Sequence, residues 1–146
     1  MEMSWLVMEA AALVGRGRDP EVEQVCLALV DHALRDGFDK ERGALYSEGP
    51  ASGPADRRRL EWWQQAEALV GTLNAWQLTG KPEHRLAFEL QAQFILDDFV
   101  DHEYGDWYAG IDPDGKIDGT KAGPWRGPYH ASRACLEVIR RLARTL

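Results

Sequence analysis

The sequence predicts an all-α chain with a minor β-hairpin, and three observations carry that prediction. Five stretches place apolar residues at helical spacing, the breaks between them are rich in Gly and Pro, and no strand–helix–strand alternation occurs. The strand–turn–strand signal is Asp112-Pro113-Asp114-Gly115, between Trp107–Ile111 and Lys116–Ile117, and it favours a short hairpin.

The first helix covers about residues 2–14 and is apolar nearly all round, which predicts a buried helix ended by Gly15 and Gly17. The second has Asp19 as N-cap and Pro20 in the first helical position, with Val22, Val25, Cys26, Leu29, Val30 and Ala33 at helical spacing and Gly37 as its stop. A short strand at 44–48 and a Pro/Gly/Ala/Ser loop, Gly49–Asp56, come next. The third helix spans about 59–79, with Trp63, Ala66, Val70, Leu73 and Gln77 on one side. Thr79-Gly80-Lys81-Pro82 closes it and opens a fourth, about 82–101, carrying Leu86, Leu90 and Phe94. The fifth begins near Tyr129 and carries Ala131, Ala134, Cys135, Val138 and Leu142.

At 146 residues the chain fits a single domain, 1–146, with a sizeable core. Its 17 basic and 24 acidic residues leave a formal charge of −7, which argues against nucleic acid or an anionic membrane as partner. Arg57, Arg58 and Arg59 form the densest positive cluster and read as a solvated loop. Cys26 and Cys135 have neither disulfide-framework nor zinc spacing. The longest apolar stretch, Trp5–Val14, is broken by Glu9 and too short to span a bilayer, and Met1-Glu2 lacks a basic leader. A reduced, cytoplasmic protein is the expectation.

Residues 123–137, Gly-Pro-Trp-Arg-Gly-Pro-Tyr-His-Ala-Ser-Arg-Ala-Cys-Leu-Glu, place His130 between a Pro/Gly/aromatic loop and the first turn of an amphipathic helix. A helix N-terminus carries about half a positive charge, which disfavours a protonated imidazole. A neutral histidine there can take a proton from carbon, with Trp125 and Tyr129 offering flat faces nearby; it can equally cap a helix beside core aromatics. His32, His84 and His102 sit among charged neighbours and read as exposed. No His-x-x-x-His or His-Glu-x-x-His spacing exists, so neither a catalytic metal nor another cofactor is expected.

Four stretches, in order, resemble the N-acylglucosamine 2-epimerase and cellobiose 2-epimerase family. They are Glu2-Met3-Ser4-Trp5-Leu6, Gly43-Ala44-Leu45-Tyr46-Ser47-Glu48-Gly49, Trp62-Trp63-Gln64-Gln65-Ala66-Glu67, and the His130 segment. The Pro128-Tyr129-His130 form is closer to the cellobiose 2-epimerases, while Gly127 and Ala131-Ser132 depart from the pattern. The resemblance implies a partial (α/α) toroid of helical hairpins and a sugar 2-epimerase or isomerase working by histidine acid/base proton transfer. It gives His130 that role, with Glu2, Trp62, Gln65, Glu67, Trp125, Tyr129 and Arg133 as substrate contacts. Gln65 and Glu67 also read as ordinary surface residues, and only one of Trp62 and Trp63 can face a cavity while the other is core.

In the family motif a second histidine stands three residues before the glutamate matched by Glu2, which would fall ahead of Met1, and full-length relatives are more than twice as long. The chain is therefore expected to correspond to the C-terminal part of an epimerase. Its expected partners are a mono- or disaccharide and either further copies of itself or a complementing N-terminal half. The alternative is a non-catalytic sugar-binding or interaction remnant of the fold.

Overall fold

A computed structural model describes residues 1–143. Among these, five α-helices run in chain order: α1 (Glu2–Leu13), α2 (Pro20–Asp36), α3 (Trp62–Thr79), α4 (Pro82–Phe94) and α5 (Tyr129–Leu142). Five two-residue strands punctuate them: β1 (Phe38–Asp39), β2 (Ala44–Leu45), β3 (Leu60–Glu61), β4 (Gly110–Ile111) and β5 (Ile117–Asp118). α1 packs on α2 and α3 on α4 as helical hairpins, and α1 and α5 flank α3.

Local signals set the element ends. The Asp19 carboxylate accepts from Glu21 N at 3.0 Å and Val22 N at 3.4 Å, with Pro20 opening α2. Gly80, at φ 66, ends α3 in the left-handed conformation, and Pro82 opens α4. The predicted hairpin forms as β4–β5, pairing Gly110 with Asp118 and Ile111 with Ile117. Its third strand, β3, takes the first residues of the predicted third helix, which starts instead at Trp62. Arg59 does not lie free in a solvated loop: its guanidinium binds Asp112 and, at 2.8 Å, Asp118, and so ties the hairpin to β3. The fourth helix also stops short of prediction, at Phe94, giving way to a π-helical turn, Ile95–Phe99, that buries Ile95 and Phe99.

The helix buried on every side is α3, not α1. All residues from Gln64 to Ala75 are buried, because α1, α4 and α5 surround it. α1 instead covers only Ser4, Trp5 and Ala11 and leaves Met3, Leu13 and Val14 exposed, Leu13 at 89%. Its close approach to α3 depends on Gly71, where a Cβ would sit 3.0 Å from Ser4 Oγ. The core gathers Trp5, Leu60, Val70, Leu73, Phe94, Phe99 and Trp107 around α3.

Several buried polar side chains of this core are anchored by hydrogen bonds. Gln64 Nε2 donates to Ser47 O at 2.7 Å, and Thr72 Oγ1 to Ala68 O at 2.7 Å. His84, expected to be exposed, is 1% exposed. Its Nδ1 bonds Thr79 Oγ1 at 2.9 Å and its Nε2 bonds Asp31 at 2.9 Å, which links α4 to α2.

Candidate active site

Three helix N-terminal ends meet at one place. Glu2 opens α1, Glu67 lies in the second turn of α3, and His130 and Arg133 lie in the first turns of α5. Helix N-termini favour nearby negative charge, which suits two carboxylates at this convergence.

Glu67 is the hub. It is 2% exposed, and its carboxylate accepts from Trp5 Nε1 at 2.9 Å, from His130 Nδ1 at 2.6 Å and from the Arg133 guanidinium. Arg133 also reaches Glu2 at 3.1 Å and the Tyr129 hydroxyl, and its guanidinium lies 4.8 Å over the Trp5 ring. Burial works against the Arg133 charge, but Glu2 and Glu67 outweigh it and hold its pKa above the ordinary value.

A carboxylate can only accept, so Nδ1 of His130 carries the hydrogen and neutral His130 keeps its lone pair on Nε2. That nitrogen has no hydrogen-bond partner among the described residues, and the side chain is 24% exposed. The Trp63 ring lies 5.8 Å from His130 and the Tyr129 ring 5.0 Å away, edge-on. Glu2, Glu67 and His130 each bring one ligand atom within 4.8 Å of the others, a donor set that could hold a small cation. A cation would first have to displace Arg133, which already neutralises both carboxylates.

Of the sequence candidates, Glu2, Glu67, Tyr129, His130 and Arg133 come together. Gln65 lies elsewhere: fully buried, it holds Leu45 N at 3.0 Å and Leu45 O at 2.7 Å and accepts from Gln91 at 3.0 Å, fastening β2 to α3 and α4. Trp62 stacks under Arg126, 5.1 Å from its guanidinium. Trp125 is 91% exposed. Two tryptophans outside the candidate set join instead, Trp63 beside His130 and Trp5 on Glu67. The signal for Trp63 was available, since residues four apart on a helix share a face and Trp63 stands four before Glu67.

Residues 1–134 match the family model of N-acylglucosamine 2-epimerase. The cellobiose 2-epimerase of Dictyoglomus turgidum is 35% identical over 97% of this chain and 36% of its own length. The N-acylglucosamine 2-epimerase of Bos taurus is 30% identical over 100% of this chain and 35% of its own. The solved cellobiose 2-epimerase from Bacillus thermoamylovorans B4167 superposes with a TM-score of 0.83 at 31% identity, covering 94% of this chain and 35% of that one. The chain thus spans about 36% of the length of such curated relatives. A matched stretch of this extent, a shared partial toroid of helical hairpins, and similarity running through the residues that build the cluster place the chain in the N-acylglucosamine 2-epimerase family.

Proposed function

We propose that the cluster carries out proton transfer at the carbon next to a sugar carbonyl, the step common to 2-epimerisation and aldose–ketose isomerisation. The observation that carries this reading is the His130–Glu67 bond, which commits Nδ1 and leaves Nε2 as a base beside two aromatic rings. His130 Nε2 takes the C2 proton of an open-chain aldose, the C2–H electron pair delocalises into the carbonyl as an enediolate, and the imidazolium formed stays paired with Glu67. Return of that proton restores the aldose. Delivery of a proton to the opposite face of C2 gives the epimer, and delivery to C1, with the O2–H proton passing to O1 as C2=O forms, gives the ketose. The substrate class is a mono- or disaccharide, in keeping with the cellobiose and N-acylglucosamine named for its relatives.

Opposite-face delivery needs a second acid/base group. Among the described residues the other histidines are placed elsewhere. His84 is buried against Asp31, His32 pairs with Asp36 at 3.0 Å, and His102 bonds Leu96 O at 2.7 Å. We infer that a complementing segment, or a group other than histidine on another copy, supplies it by packing on the exposed apolar sides of α1 and α5. The non-catalytic alternative rests on the same absence, and one experiment separates the two. Cellobiose or mannose in deuterated water loses its C2–H NMR signal if one base acts, even without net epimerisation. His130→Asn should slow that exchange by roughly 10²–10⁴-fold with folding intact. Equal exchange in both proteins would remove His130 from the role; no exchange in either, with sugar still bound, would favour the non-catalytic alternative.

A further inference from the structure

The loop that leads into His130 has little structure of its own. Between β5 and α5 its backbone pairing is the reciprocal Gly123–Arg126 turn, and α5 starts at Tyr129 behind the N-cap Pro128, with no side-chain cap. Yet Arg126, in the middle of this loop, is 5% exposed. Its guanidinium donates to Trp107 O at 2.6 Å, to Asp106 Oδ1 at 3.2 Å and to Gly127 O at 3.2 Å, while stacking 5.1 Å over Trp62. One side chain thus joins the segment before α5, the first residue of α3 and the 106–107 segment. The Gly127 carbonyl it holds belongs to the residue before the N-cap, so the clamp acts two residues before the helix that carries His130 begins. Asp106 is itself held in the left-handed region, at φ 61, where its carboxylate meets both Arg126 and Trp107 N. Lys121 adds a second fastener from the same loop, to Asp101 at 2.8 Å, to Gly105 O at 2.8 Å and over the Tyr108 ring at 4.7 Å.

We propose that Arg126 is a positioning residue for His130: by clamping Gly127 against Trp62 and the 106–107 segment, it sets where α5 begins and keeps His130 Nδ1 on Glu67. A planar fork that donates in three directions while stacking does this, and a lysine point charge cannot make all of the contacts. The proposal rests on His130 being the proton-transfer group, but it is tested by position rather than turnover, so the two fail separately.

The test compares wild type with Arg126→Met, Arg126→Lys and Asp106→Asn. Amide hydrogen exchange is mapped by peptide, and the His130 Nδ1–H signal is followed by NMR. In R126M, exchange over 119–130 should rise at least about tenfold while α3 keeps its protection, and the Nδ1–H signal should weaken. R126K should recover part of both. Exchange and the His130 signal at wild-type values in folded R126M would overturn the proposal. So would a loss of protection spread equally over α3 and α4, which marks a general stabiliser. Should R126M not fold, D106N decides, since Asp106 is 41% exposed and the substitution removes only its charge. A two- to fivefold rise confined to 119–130 supports the clamp, and unchanged exchange refutes it.

Discussion

Replacing Glu67 by glutamine keeps the side chain's shape and removes its charge, which makes it the sharpest probe of the cluster. In the wild-type protein three donors converge on this carboxylate, from Trp5, His130 and Arg133, and the residue is 2% exposed. A glutamine offers one acceptor oxygen and turns an NH₂ toward at least one of those donors. A hydrogen bond to a charged group is worth roughly 1.5–3 kcal/mol, and removing one partner of a buried ion pair costs roughly 3–5 kcal/mol. The two figures overlap because they count the same contacts, so the expected loss is about 3–5 kcal/mol rather than their sum. It stays below the upper end because Glu2 still pairs with Arg133 at 3.1 Å. For a domain of this size each kcal/mol moves the thermal midpoint by roughly 2–4 °C, so E67Q should melt about 6–20 °C lower. The same sample serves a second assay, nitrogen NMR of His130, where the hydrogen should no longer be confined to Nδ1. A midpoint within about 1 kcal/mol of wild type, with Nδ1–H retained, would refute the assignment of Glu67 as hub.

Three further outcomes follow from single contacts. Asp101 titrates at about 2 instead of 3.8, through its bond to Lys121 and then the Tyr104 and Glu103 amides. Its stabilising effect is therefore complete above about pH 4 and fades as the pH falls toward 2; Lys121→Ala should raise the midpoint of that loss, read from the Asp101 carboxyl resonance. Gly43→Ala puts a Cβ 2.4 Å from Leu90 O at φ +75, and should cost at least about 2 kcal/mol in urea unfolding. Gln65→Leu orphans Leu45 N, Leu45 O and the Gln91 amide, at about 1–3 kcal/mol for each buried group left bare. A stability loss of at least about 3 kcal/mol is expected, with C2–H exchange per folded molecule unchanged; slower exchange would return Gln65 to the substrate.

What could be read in the sequence was local. The cap at Asp19, the stop at Gly80 and the 112–115 turn each declare themselves within a few residues, and each stands where it was expected. The burial of His84 did not declare itself, because it depends on Asp31 approaching from 53 residues away on a different helix. Gln65 went astray for the same reason: its position at a helix start suggested an open rim, and only the docking of β2 shows its amide to be engaged. α1 looked like the buried helix because its composition is apolar, but composition says nothing of how many neighbours arrive. α3 has more polar residues and three helices around it. Within the site, Glu2, Glu67, His130 and Arg133 were legible as residues, while their shared hydrogen bonds were not.

Glu2 and Arg133, which meet at 3.1 Å, stand 131 residues apart in the chain. Closing a loop of that length costs entropy that no local contact refunds, so the pair can form only after α1 and α5 have both docked on α3. A partly folded molecule with either helix undocked has no site at all, rather than a weakened one. A sugar bound there would bridge elements whose separation amounts to opening the whole core, so its binding free energy adds to the global unfolding free energy and not to a local fluctuation. Ligand protection against proteolysis should then extend to the far ends of the helices, well beyond the residues a sugar can touch.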